Sequence, residues 1–374
     1  MNKKKQIDWF TVVLADTHGG GAEQQQINIF QHLVDTGKKC YVICLTKKNM
    51  GCWEFMEKKG RVLYLPFSNK YAKISYLLLF PVLFYTFLTK RISYTFTTQT
   101  LINSAIGIFK RIGFLKRTKV IVRESNSIFK LMSGLKLKRY AFSYKIGYSK
   151  VDLVICQTEY MKNQLLEALP WLSKKVTVCV IDNPINLKAI AEKAKEYIEA
   201  SEGEEYMVAA GSLHPKKGFD ILIDSFFKLQ DKHPSIKLFI LGEGKERSSL
   251  IKQINSLHLE NKVFLKGFTS NVYPYFKNAK LCVMSSRIEG FPNVLLQMMS
   301  QNHKVVSTIS AGGIENIEGI FTSPIKDAEK LAYSIDKALN SKTKKNRVIF
   351  DSFLAKRDLE SFIKKIHLRL PKDI

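Results

Sequence analysis

Tyr206-Met-Val-Ala-Ala-Gly-Ser-Leu-His-Pro-Lys-Lys-Gly-Phe-Asp220 reads as a strand, a glycine-rich turn and the opening of a helix. Tyr206–Ala210 is a short apolar run, and Gly211 to Gly218 carries turn residues. Ile221, Leu222, Phe226 and Phe227 then recur at helical spacing. The same alternation runs through the chain in both directions. Strands are predicted at Ile7–Leu14, Lys39–Leu45, Val62–Leu65, Val120–Arg123, Leu153–Gln157 and Val176–Ile181. Beyond the central unit they are predicted at Lys237–Leu241, Val263–Leu265, Leu281–Met284 and Lys304–Thr308. Amphipathic helices fall between them, at Gln24–Thr36, Phe219–Lys232, Lys245–Leu257 and Asn293–Gln301. Such alternation implies α/β architecture, with parallel sheets built from βαβ units. A break is expected near Asp182-Asn183-Pro184, where a charged helical stretch precedes the restart at Tyr206. The predicted domains are therefore 1–184 and 185–350, each doubly wound, with a terminal helix in 351–374 packing back on the first.

The 374 residues are 45% apolar and 25% charged, with 24 Phe, 15 Tyr and 3 Trp, which excludes a disordered chain. Six cysteines (Cys40, Cys44, Cys52, Cys156, Cys179, Cys282) show neither CxxC pairing nor a histidine partner pattern. They read as reduced, mostly buried thiols of a cytosolic protein rather than a disulfide framework. Lys3-Lys4-Lys5 precedes an apolar run at Trp9–Ala15, but Asp16 and His18 end that run where a cleavage site would follow, so it reads as a first strand. The longest apolar run, Ile74 to Leu88, is shorter than the roughly 20 residues that span a bilayer.

Formal net charge is +26, and residues 61–150 hold 17 basic residues against one acid, Glu124. Basic and aromatic residues interleave there, as in Lys136-Leu-Lys-Arg-Tyr-Ala-Phe-Ser-Tyr-Lys145. That bias attracts anionic surfaces: phospholipid headgroups, lipid diphosphates or nucleic acid. Ile74–Leu88, with Lys70, Lys73, Lys90 and Arg91 around it, reads either as a helix lying in a membrane interface or as a core helix of the first domain. No RNA-binding signature accompanies the charge, so no nucleic-acid partner is expected.

Three turns carry candidate chemistry. His18-Gly19-Gly20-Gly21-Ala22-Glu23 follows the first strand, and its glycines let a ligand approach the backbone and the helix N–H groups. In the quoted central stretch, Lys216 and Lys217 sit beside a helix start, a good clamp for a diphosphate leaving group. The third is Ser286-Arg-Ile-Glu-Gly-Phe-Pro-Asn-Val-Leu-Leu-Gln297. It places Glu289 on a loop, offers the N–H groups of Asn293, Val294 and Leu295 at a helix start, and sets Gln297 one turn on.

Taken together, these three turns resemble those of the family 4 retaining glycosyltransferases of the GT-B fold. Ile240-Leu-Gly-Glu-Gly244, Phe264-Leu-Lys-Gly-Phe268, Cys156-Gln-Thr-Glu159, Asp182-Asn-Pro184 and Gly312-Gly-Ile-Glu315 extend the likeness. The resemblance implies two Rossmann-like domains facing a central cleft, the first binding the acceptor and the second a nucleotide sugar. It implies Lys217, with Ser212, Lys216 and Arg287, at the diphosphate, and Gly20 and Gly21 near the phosphates or the transferred sugar. Glu289 would hold sugar hydroxyls, and Gln297 would meet the ribose. Phe268, Gly290, Phe291, Asn293, Val294 and Leu295 complete the implied donor side. The acceptor and membrane side would hold Arg123, Glu124, Ser125 and Asn126 together with Lys136, Lys138 and Arg139. No metal or other cofactor is expected, protein cations taking that role.

Three positions depart from the family pattern: Gln297 stands for the second acid of Glu-x7-Glu, Ser212 for an arginine and Ser125 for a histidine. The resemblance implies a retaining, metal-independent hexosyl- or N-acetylhexosaminyl-transferase at the inner face of the cell membrane. It would use a nucleotide sugar, UDP-linked before GDP-linked, to extend a lipid-linked glycan for capsule or lipopolysaccharide. The rival readings are a GT-B protein that binds nucleotide sugars with little turnover, and a basic nucleic-acid-binding protein.

Overall fold

The computed structural model describes residues 4–15, 21–46, 51–66, 72–126, 128–198 and 204–371. The chain forms two units, Met1–Asn183 joined by Leu359–Ile374, and Pro184–Asp358. In chain order the first unit runs β1 (Lys5–Ala15), α1 (Gly21–Asp35), β2 (Cys40–Thr46), α2 (Glu54–Glu57), β3 (Val62–Tyr64), α3 (Ala72–Thr89) and β4 (Lys90–Thr97). It continues with α4 (Thr100–Arg111), β5 (Lys119–Arg123), α5 (Ile128–Leu131), α6 (Gly134–Gly147), β6 (Leu153–Cys156), α7 (Glu159–Ala168) and β7 (Thr177–Val180). These strands form one parallel sheet in the order β3-β2-β1-β4-β5-β6-β7.

The second unit opens with α8 (Leu187–Lys193), β8 (Tyr206–Ala210), α9 (Phe219–Phe227), β9 (Lys237–Leu241), α10 (Arg247–Ser256) and β10 (Val263–Gly267). Next come α11 (Tyr273–Asn278), β11 (Leu281–Met284), α12 (Asn293–Gln301), β12 (Val305–Thr308), β13 (Phe321–Ser323), α13 (Ala328–Asn340) and α14 (Asn346–Ala355). Its parallel sheet has the order β10-β9-β8-β11-β12-β13. The last helix, α15 (Leu359–Arg369), returns to the first unit.

Both sheets are covered on two faces, so their strands are continuous apolar runs rather than alternating ones. β6 (Leu-Val-Ile-Cys), β8, β11 and β12 are buried at every residue. Each sheet separates two apolar clusters, one built around Phe10, Ile106 and Val154 and the other around Trp9, Phe30 and Ile155 in the first unit. Helix starts are fixed locally: Thr158, Asn186 and Asp327 each accept a hydrogen bond from the backbone N–H three residues on.

Where α4 crosses α6 the backbones nearly touch. A Cβ on Gly147 would sit 2.3 Å from Ser104 Cα, so only glycine fits at this crossing. All six cysteines are buried and none forms a disulfide, and burial pushes the Cys40 thiol up to about 12 and Cys179 up to about 11.

The doubly wound α/β class expected from the sequence is the one observed, with differences of detail. β4 was not foreseen: it starts directly at the end of α3, and Lys90-Arg91 with Ser93, Thr95 and Thr97 hides its apolar face. The three-residue β13 also escaped. Within 351–374 only α15 packs on the first unit, through Leu359, Phe362 and Ile366 among Trp9 and Phe96, while residues up to Asp358 belong to the second. Ile74–Leu88 falls within α3, which is a core helix on one face only. Leu79, Leu83 and Phe87 enter the core, whereas the opposite face of α3 is exposed.

Both sheets change winding direction once. In the first unit the chain goes outward from β1 through β2 and β3, then restarts at β4 beside β1. In the second it goes outward from β8 through β9 and β10, then restarts at β11 beside β8. The loops leaving the carboxyl ends of such a strand pair splay apart and leave room for a ligand.

Candidate active site

The second unit's switch point is formed by the loop after β8, residues 211–218, and the loop after β11, residues 285–292. Pro215–Lys217 makes a single 3-10 turn, which Gly218 ends at φ 64° before α9 begins. A Cβ at Gly218 would meet the Ser285 carbonyl oxygen at 2.2 Å, so the two loops pack backbone to backbone. Three further bonds lock them together. Ser285 Oγ donates to the Lys217 carbonyl at 2.9 Å, and Arg287 N donates to the Lys216 carbonyl at 2.7 Å. The Arg287 guanidinium spans Asp220, at 2.8 Å from Oδ1, and also donates to the Pro215 carbonyl.

That frame brings Lys217 to Glu289 across 72 residues of sequence. Lys217 Nζ lies 2.6 Å from Glu289 Oε1, with side chains 16% and 13% exposed. Ser286 Oγ donates to the same oxygen at 2.8 Å, and the Glu289 N–H donates to the Ser310 carbonyl at 2.8 Å. Glu289 is thus held by its backbone and, through one carboxylate oxygen, by Lys217 and Ser286, yet it is not sealed. An ammonium and a carboxylate in this setting form an exchangeable pair: an anion can take the lysine, and hydroxyls can take the carboxylate.

The structure places the other sequence-predicted residues unequally. Lys216 is half-buried next to Lys217, while Ser212 is exposed on the same loop. Arg287 is not a spare cation for a ligand. Its bidentate bond to Asp220 holds it above the usual arginine range, and it braces the lysine turn. Gly290 and Phe291 are buried, and the Phe291 ring lies in the core beneath the Arg357 guanidinium at 5.3 Å. Phe291 therefore offers a ligand no side-chain face.

Three N–H groups were expected at the start of α12, alongside Asn293 and Val294, but the Leu295 amide already donates to the Pro292 carbonyl at 3.2 Å. Asn293 and Val294 are half-buried. Gln297 is half-buried too, and its amide donates to Tyr273 Oη at 3.3 Å. Burial lifts the Tyr273 phenol above its usual value. Phe268 follows β10, two strands from β8, and is 51% exposed.

Sequence reasoning missed Ser286, Ser310 and Asp220 as supports. Only Ser286, three residues before Glu289 in a turn, left a local trace; the others are brought in by the sheet.

In the first unit, Gly20 and its neighbours back to Asp16 lie outside the described residues. Gly21 opens α1, which is pinned to the switch point by Gln26. The Gln26 amide nitrogen donates to Thr11 Oγ1 and its oxygen accepts from Thr98 Oγ1, each at 2.8 Å. Arg123, Glu124, Ser125 and Asn126 do not make a common exposed face. Arg123 and Glu124 are 1% and 3% exposed. The Glu124 carboxylate accepts from Tyr144 Oη and, at 2.8 Å, from Tyr148 Oη. Arg123 donates to Asn183, Asn183 to Gln157, and Gln157 to the Glu124 carbonyl. Three short segments noted in the sequence thus converge at the ends of β5, β6 and β7 as internal bracing. Ser125 is half-buried with its hydroxyl on the Thr98 carbonyl, and Asn126 is exposed. Lys136, Lys138 and Arg139 stand exposed on α6.

Comparison with known proteins bears on the fold and on the second unit. Residues 190–351 match the family described as Glycosyl transferases group 1. The chain is 30% identical over 178 residues to the N-acetylgalactosamine-N,N'-diacetylbacillosaminyl-diphospho-undecaprenol 4-alpha-N-acetylgalactosaminyltransferase of Campylobacter jejuni, covering 48% of this chain and 47% of that protein. It is 26% identical over 204 residues to the lipopolysaccharide core biosynthesis glycosyltransferase LpsE of Rhizobium meliloti, covering 54% and 58%. The chain spans about half the length of the curated relatives it matches. Among solved structures, HepE of Anabaena in complex with UDP-glucose superposes with a TM-score of 0.76 at 17% identity, over 97% of this chain and 98% of that one. The two Rossmann-like units are accordingly of the GT-B type. Residues 190–351 thus resemble a glycosyl transferases group 1 domain, and the relatives named here are glycosyltransferases.

Proposed function

We propose that this chain is a retaining glycosyltransferase that moves a sugar from a UDP-sugar to a lipid-linked glycan in the making of a bacterial surface polysaccharide, capsule or lipopolysaccharide. The observation that carries the proposal is the Lys217–Glu289 pair at the switch point of the second unit. On donor binding the pair exchanges partners: the Lys217 ammonium turns to the diphosphate, with Lys216 beside it, and Glu289 accepts hydrogen bonds from hydroxyls of the transferred sugar. Charge develops on the leaving phosphate as the bond between the anomeric carbon and the phosphate oxygen breaks, and a fixed cation there stabilises the transition state more than the ground state. The acceptor oxygen bonds to the anomeric carbon on the face the phosphate leaves, and its proton passes to the departing phosphate oxygen.

In this proposal unit two binds the donor and unit one the acceptor. No metal is required and nucleic acid is not a partner. The preference for UDP is supported by the likeness to HepE, and the lipid-linked acceptor by the Campylobacter jejuni relative's name. In this proposal the chain works at the inner face of the cell membrane, where the exposed Lys136, Lys138 and Arg139 on α6 supply cations for that surface.

The test is a screen of the purified chain against UDP-, GDP- and dTDP-sugars, read by thermal shift and by release of free nucleotide. A UDP-sugar at a hundred times its Kd should stabilise the donor unit by about 2.7 kcal/mol, with slow release of UDP. Stabilisation without nucleotide release, with lipid acceptor present or absent, would instead leave a sugar-nucleotide-binding protein. No response to any donor would overturn the proposal.

A further inference from the structure

We propose that the first unit carries a bilayer-entering face on α3, bordered by a basic cavity that seats the phosphates of anionic phospholipid. This surface does not include Lys136, Lys138 and Arg139 of α6, and its test does not depend on the donor chemistry.

Ile74, Leu77, Leu78, Phe84, Tyr85 and Leu88 fall on one face of α3 and are 38–76% exposed. Apolar residues clustered on one outward helix stripe are unusual on a protein surface and mark a contact with an apolar medium or partner. The stripe continues past the helix. Phe84 meets Phe114 with ring centroids 5.2 Å apart, and Ile112 beside it is 60% exposed.

Arg111, next to Ile112 in the chain, lines a cavity of about 1170 Å³ at the starts of β6 and β7, together with Lys145, Lys150, Lys174, Lys175 and the exposed ring of Phe142. Its one acidic lining residue, Asp152, is already neutralised by Lys110 at 3.1 Å. Among the described residues, none of those five cations has a carboxylate partner.

Charge decides what covers the stripe. The single acid of residues 61–150 is Glu124, which is 3% exposed and turned inward to Tyr144 and Tyr148. The surface contributed by this stretch therefore shows cations and apolar groups and no carboxylate. A second copy of the chain would set like charges against each other around the stripe. Nucleic acid would leave the apolar residues facing water. An anionic bilayer satisfies both at once, acyl chains receiving the stripe and lipid phosphates the cations. Among the described residues no helix is long and apolar enough to cross the bilayer, so the helix lies in its surface.

The experiment is co-sedimentation of the full chain with vesicles of phosphatidylglycerol and phosphatidylcholine in equal parts, against phosphatidylcholine alone, over a range of salt. The wild type should bind the anionic vesicles alone, and binding should weaken with salt. The double variant Leu77→Glu, Phe84→Glu should lose on the order of tenfold or more in affinity, and Lys174→Glu, Lys175→Glu a similar factor with a shallower salt dependence. Leu77→Trp should show a blue-shifted emission on anionic vesicles only. Circular dichroism and an unchanged melting temperature would show that each variant is folded. Vesicle binding equal to wild type in both double variants would overturn the proposal. So would a wild type that ignores vesicles but dimerises through Leu77, the outcome expected if a second copy covers the stripe.

Discussion

Glu124 and Glu289 both follow a strand of a parallel sheet, β5 and β11, and both stand near an arginine in the sequence, yet the fold uses them in opposite ways. Glu289 remains 13% exposed and is paired with Lys217, and its neighbour Arg287 is diverted to Asp220. Glu124 is sealed under two tyrosine hydroxyls from α6, and its neighbour Arg123 turns to Asn183. Burial raises the Glu124 carboxyl above the usual carboxylate range, against the pull of the two hydroxyl bonds. The difference lies in what packs on each loop. Gly147 lets α6 approach α4 closely enough to drive Tyr144 and Tyr148 over Glu124, whereas the loops around Glu289 close on it with hydroxyl and lysine side chains that can exchange for a ligand. A carboxylate at a strand end is a site only where its partners can leave.

The contrast is broken most directly by removing each acid. Glu289→Ala, or Lys217→Ala, should lower transfer on the order of 10²-fold or more. Glu124→Ala should act on stability, at about 1–3 kcal/mol for each hydroxyl left without an acceptor. Steady-state transfer rates and thermal melts of the variants check both halves. Near-wild-type transfer by both Glu289→Ala and Lys217→Ala would remove the distinction.

A pH titration sharpens it. Because the folded-state pKa of Glu124 is raised, its contribution to stability is full below the unfolded value and is lost as pH rises through the folded one. Wild type should therefore lose stability relative to Glu124→Gln as pH rises above the unfolded carboxyl value, a trend that urea melts at several pH values would reveal. The reverse slope would mean that the tyrosine bonds outweigh burial.

The smallest effect is expected at Gln297→Glu. A charged acceptor forms a hydrogen bond about twice as strong as a neutral one, so donor affinity should rise severalfold at most, read by thermal shift with UDP-sugar. A much larger gain would mean that the amide at 297, rather than the Lys217–Glu289 pair, limits the chain.

Much of this was legible because it is local. A strand, a turn with glycines and a helix start follow one another within fifteen residues around Lys217, and the same holds around Glu289. Helix caps such as Thr158 need only the next three residues. What was not legible depends on pairing across distance. β4 hides behind charged and hydroxyl residues because its outer neighbours, not its own composition, make it a central strand. Tyr273 meets Gln297 across 24 residues without a periodic trace. The role of Arg287 reversed for the same reason: Asp220, 67 residues away, claims it.

By itself the sequence determined the alternation of strand and helix, the excess of positive charge in residues 61–150 and the short turns that bear Lys217 and Glu289, since periodicity, composition and turn chemistry are properties of neighbouring residues. Only the tertiary structure decided which charges are spent on bracing and which stay exchangeable. The partner of a side chain is set by strand order and helix crossing, and burial fixes whether that partner can be given up to a ligand.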